Sequence, residues 1–148
     1  MQWLLAWLHL LALGIGLGAV WARGQALSGE LDRAGLRRVF LADNFWGAAA
    51  MLWLVTGLLR AFGGFEKGSA YYLHNTAFLL KMALFIAVLL HEIRPMVTLI
   101  RWRARVGRGE MPTDLAIARR LARISYIEAI LVVLIVLAAT AMARGIGS

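Results

Sequence analysis

Residues 71–93 read YYLHNTAFLLKMALFIAVLLHEI. The run is long enough to cross a bilayer, which takes about 20 residues. It nevertheless carries His74 near one end, Lys81 near the middle and His91 near the other. A lysine at mid-depth in hydrocarbon costs about 2.5–3.5 kcal/mol on insertion scales. A span that keeps such a residue faces a protein interior and holds something polar there. The stretch therefore predicts an integral membrane helix bundle, all-α, with a polar element inside it.

The rest of the chain agrees. Its 148 residues are 61% hydrophobic, against about 45–50% in soluble domains, and the mean hydropathy is +0.74. Three more apolar runs flank the first, at about 3–22, 39–60 and 124–143. With 71–93 they predict four antiparallel up-down spans in a single domain over 1–148. The first basic residue after the opening run is Arg23, and none precedes it. That order is the reverse of a signal peptide, so the first span is expected to be retained.

The net charge of +8 does not point to nucleic acid, because the Lys and Arg residues lie between apolar runs and not on a polar domain. The connections between spans 1 and 2 and between spans 3 and 4 carry 12 of the 16 basic residues. By the positive-inside rule these connections are cytoplasmic, near anionic headgroups, and both termini are periplasmic in a bacterial inner membrane. Trp3, Trp7, Trp21, Trp46, Tyr71, Tyr72 and Tyr126 fall near span ends, as interfacial aromatics do. Pro95 predicts a kink or stop after span 3. The basic stretch that follows, with Ile100, Trp102 and Val106 interleaved, reads as a segment on the membrane surface. Pro112-Thr113-Asp114 is a helix start. Gly14, Gly16 and Gly18 inside span 1 read as small residues that allow close approach of a helix or a flat ring.

The chain has no cysteine, which excludes disulfides, cysteine-held zinc, iron–sulfur clusters and covalently attached c-type haem. Antiparallel spans sort the remaining polar residues by depth. His9, Arg60 and His74 lie toward the outer end. Arg23, Asp43, His91, Arg94 and Glu128 lie toward the other, with Lys81 between them. His74 and Lys81 are seven residues apart and share a face. Two histidines on different helices at one depth are the usual axial ligands of haem b in a bundle, and Arg60 at that end suits a propionate. Interfacial histidines bonded to headgroups or carbonyls fit the same spacing. Lys81, Asp43 and Glu128 suit either register-fixing ion pairs or proton transfer and anion binding.

Over its whole length the chain resembles a group of small bacterial four-helix membrane proteins that carry a YLHN motif (Tyr72 to Asn75) followed by a lysine and an apolar run. More distantly it resembles HemJ, the four-helix membrane protoporphyrinogen IX oxidase, and CopD-like membrane proteins. Trp7-Leu8-His9 resembles the early histidine of that family and Arg23 its span-ending arginine. Ala50-Met51 to Gly57 resembles its second span, Lys81-Met82-Ala83-Leu84 its lysine motif, and Glu128 its last-span acid. Where the family has a histidine two residues before the lysine, this chain has Leu79, and His74 is the nearest substitute.

The resemblance implies a haem b or porphyrin site that uses His9 and Lys81. Three expectations follow. The first is a haem- or porphyrin-binding membrane protein of oxidoreductase type, with His9 and His74 as ligands, Arg60 on a propionate, and Lys81 and Glu128 handling protons. The second is a non-enzymatic subunit of a larger membrane complex or of a homo-oligomer. The third is a small transporter or metal-handling protein.

Overall fold

The computed structural model describes residues 2–63, 75–112 and 114–145. Within them lie four helices and no strand: α1 (Gln2–Ser28), α2 (Arg33–Phe62), α3 (Thr76–Gly107) and α4 (Leu115–Ala143). All four are long and apolar enough to cross a membrane. Their 27 to 32 residues correspond to about 40–48 Å at 1.5 Å per residue, more than the roughly 30 Å hydrocarbon core. The surplus turns carry the arginines of the two basic connections.

Three of the four helix starts are capped from the sequence. Asp32 precedes α2 and its carboxylate accepts the Gly35 N–H at 2.7 Å. Asn75 does the same for α3 through the Phe78 N–H at 3.0 Å, and Asp114 for α4 through the Ala116 and Ile117 N–H groups. Gly35 has no alternative, since a Cβ there would run into the Glu30 carbonyl. Asp32→Ala is expected to lower stability by about 1 kcal/mol, read as a lower unfolding temperature in detergent with unchanged helix content.

α1 packs closely on α2 and α4, and α3 packs on α4. α2 and α3 meet through long side chains. The Trp53 and Phe85 rings meet edge to face at 5.5 Å, and the Arg103 guanidinium lies 5.0 Å from the Phe40 ring centre. The core has two apolar layers. One, toward the basic connections, holds Leu27, Leu36, Val39, Leu99, Trp102 and Leu121. The other holds Ala12, Val20, Trp46, Trp53, Val88, Val132 and Ile135. Many Leu, Ile and Val side chains on the outer faces are exposed, as lipid-facing residues are.

Three expectations are corrected. α3 does not stop at Pro95; it continues to Gly107 with Pro95 buried inside it. A proline inside a helix costs about 3 kcal/mol, and packing beyond it holds the helix together, because Leu99 and Trp102 are core residues. For the same reason residues 96–107 are not a surface segment: the inward face is core and only the outward face, with Ile100, Arg101 and Arg105, is exposed. Trp46 is not interfacial either, being 3% exposed within the core, where its N–H meets a partly buried carboxylate. Tyr71, Tyr72 and His74 lie outside the described residues.

The α3–α4 connection holds Glu110 against Arg108 (3.1 Å) and Arg105 (3.3 Å). The Arg108 guanidinium chiefly keeps the Glu110 carboxyl below its usual range. This contribution is present at neutral pH and fades as pH falls through the lowered pKa. Exposure of the carboxylate to solvent keeps it small.

Candidate functional site

Between the two apolar layers, all four helices send polar side chains to one point. Arg23 of α1 is fully buried. Its Nε donates to Ser125 Oγ (3.0 Å), Nη1 to Asp43 Oδ1 and Glu92 Oε1 (2.9 Å each), and Nη2 to Glu92 Oε2 (2.8 Å) and Glu128 Oε2 (2.6 Å). A guanidinium has five N–H donors, and every one is used. Trp46 Nε1–H donates to Glu92 Oε2 at 2.9 Å, and Arg103 to Asp43 Oδ2 at 2.8 Å. The close approach of α1 and α4 here depends on Gly24, where a Cβ would lie 2.8 Å from the Tyr126 ring.

The second polar place lies toward the opposite ends of the helices. All four line a cavity of about 910 Å³, whose wall includes His9, Leu13, Trp53, Gly57, Arg60, Lys81, Phe85 and Ile135. The wall is mostly apolar, with Arg60 and Lys81 as its cationic groups. The Lys81 ammonium lies 4.9 Å from the centre of the Phe78 ring. A cavity of this size and lining is of the kind that takes a small molecule.

His9 is held from both sides. Trp53 Nε1–H donates to its Nε2 at 2.8 Å, and Nδ1 lies 2.9 Å from Thr56 Oγ1, which itself donates to the Leu52 carbonyl at 2.7 Å. With Nε2 accepting, Nδ1 carries the proton and the imidazole is neutral. Neither ring nitrogen is left for a metal while Trp53 keeps this bond. The described residues include no cluster of three or more His, Cys, Asp or Glu able to hold a metal ion.

The residues named from sequence therefore divide. His9, Arg60 and Lys81 share the cavity, and Glu128 and Asp43 share the Arg23 cluster. Lys81 and Glu128 do not meet. Lys81 lies eleven residues, about 16 Å along the helix, from the Glu92 that contacts Arg23. His91 is exposed and bonds the Ala87 carbonyl of its own helix at 2.8 Å. Of the glycine triplet only Gly16 faces a neighbour, with Ala49 and Trp46 3.4 Å from its Cβ position, while Gly14 and Gly18 face open space. Glu92, Ser125 and Arg103 were not singled out by the sequence, and Trp46 was read there as interfacial.

A family model described as a predicted membrane protein, DUF2214, matches residues 1–147. The chain belongs to the DUF2214 family. No curated protein and no solved structure matches it. The likeness of this DUF2214 chain to HemJ and CopD-like proteins thus rests on the residue pattern alone.

Proposed function

We propose that this DUF2214 protein binds a carboxylate-bearing tetrapyrrole, haem b or its metal-free porphyrin, within the membrane. The observation that carries this reading is the four-helix cavity of about 910 Å³, mostly apolar, with His9 and the cationic Arg60 and Lys81 in its wall. The apolar wall, with Trp53 and Phe85, suits a flat ring, and the two cations suit its propionates. The residues fit the ring and its carboxylates. Among the described residues His9 does not offer an axial nitrogen, because both of its ring nitrogens are engaged, and the binding reading does not depend on iron. The enzymatic variant, a porphyrinogen oxidase of HemJ type, uses the same cavity with Lys81 as its proton-handling group. Positive charge concentrated on the α1–α2 and α3–α4 connections supports an orientation in a bacterial inner membrane with both termini periplasmic.

Protein purified from cells supplied with a tetrapyrrole precursor is expected to show a Soret band. A featureless spectrum, even after addition of protoporphyrin IX and of haem, would overturn the proposal. Formation of fluorescent porphyrin from porphyrinogen, faster with the protein than without it, separates the enzymatic variant from binding alone.

A second reading, a structural membrane subunit, draws on the Arg23 cluster, whose saturated bonding is that of a helix-registering device. It predicts that substitutions at Arg60 and Lys81 have no consequence.

A further inference from the structure

The Arg23 cluster has a charge imbalance that its hydrogen bonds do not remove. Arg23 and Arg103 supply two positive charges, and Asp43, Glu92 and Glu128 supply three negative ones. Other charged residues near this depth, Arg94 on α3 and Arg123 on α4, are exposed on the outer faces, and Tyr126 on α4 packs against Gly24 and Trp21. Nothing else in the described residues brings a compensating charge to the cluster.

Six carboxylate oxygens are present. Five of them accept a hydrogen bond: both of Asp43, both of Glu92 and Oε2 of Glu128. The sixth, Glu128 Oε1, is buried and has no hydrogen-bond partner, and the Glu128 side chain is 0% exposed. A bare carboxylate oxygen buried between two apolar layers is costly, and a proton on it removes the excess charge. The rim of the cluster is less enclosed: the side chains of Asp43, Glu92 and Arg103 are 15%, 21% and 35% exposed. The interior site thus has a polar edge through which a proton can exchange.

We propose that Glu128 Oε1 is a proton-binding site, so that the Arg23–Asp43–Glu92–Glu128–Arg103 cluster carries one exchangeable proton and is neutral when it is bound. The step is simple in balance. A proton arriving at Oε1 converts a cluster of charge −1 to one of charge 0, with no bond to carbon formed or broken and no electron moved. This site is independent of the ligand cavity and does not rest on the tetrapyrrole reading.

Infrared spectroscopy of the full chain in lipid, with Glu128→Gln as the main variant, tests it. The wild type is expected to show the C=O stretch of a protonated carboxyl near neutral pH, shifted in deuterated buffer. Glu128→Gln, a neutral isostere of the protonated acid, is expected to fold with an unfolding temperature close to wild type and to lose that band. Asp43→Asn is expected to remove the band too, because with one carboxylate fewer the remaining charges balance without a proton. The absence of the band in the wild type, or its survival in Glu128→Gln, overturns the assignment. So does failure of Glu128→Gln to fold, since that would mean the buried group must be charged.

Discussion

Arg23→Ala is expected to prevent stable folding. The guanidinium is fully buried and bonds Ser125 and the carboxylates of Asp43, Glu92 and Glu128, which come from three other helices. Its removal leaves three carboxylates with only Arg103 as counter-charge, and Arg103 reaches Asp43 alone. Removing one partner of a buried ion pair costs about 3–5 kcal/mol. That is a large fraction of the roughly 5–15 kcal/mol that holds a typical domain together. Arg23→Lys keeps the charge but has three donors in place of five and no planar fork. It is expected to cost about 1–3 kcal/mol, the penalty for buried acceptors left unpaired. Yield and unfolding temperature in detergent measure both. An Arg23→Ala protein as stable as wild type would show that the cluster does not hold the helices together.

The second large effect falls on the cavity. Arg60→Ala and Lys81→Ala are each expected to weaken binding of a dicarboxylate porphyrin about tenfold, and the double variant about a hundredfold, since a hydrogen bond to a charged group contributes about 1.5–3 kcal/mol. The fold is expected to survive, because both side chains are only partly buried on the cavity wall. Unchanged affinity in the double variant, with helix content intact, would place the ligand elsewhere or remove it from the account.

The four spans were legible because each is a long, predominantly apolar run, and such a run crosses lipid as a helix. The extra helical turns were less so. Arg33, Arg37 and Arg38, like Arg101 to Arg108, read as connection because polar residues next to a span resemble a loop. What makes them helix is their inner face, where Leu36, Val39, Leu99 and Trp102 recur at three- and four-residue steps. The same periodicity marks Glu92. It shares a face with Val88, Pro95 and Leu99, all buried, whereas its neighbour His91 points outward. For a charged residue at the end of an apolar run, the helix face is a better guide to burial than the position along it.

Of the proposed site, Asp43, Glu128 and Arg23 were legible as polar residues at one depth, and the structure brings them into contact. Trp46 was misread because an indole near a span end suits the interface as well as it suits a core carboxylate. The bonding of His9 was beyond reach of the sequence. Trp53 and Thr56 lie more than forty residues away, and only the packing of α1 on α2 shows that they occupy both ring nitrogens.

The most direct test of the central claim is a tryptophan-fluorescence titration of the wild-type protein with protoporphyrin IX and, in parallel, with its dimethyl ester. Trp53 lines the cavity, so a porphyrin seated there quenches it. The account predicts saturable quenching by the free acid, about a hundredfold weaker binding of the ester because both carboxylates are masked, and loss of most of the quenching in Trp53→Phe. Equal binding of acid and ester, or no saturable quenching by either, would contradict it.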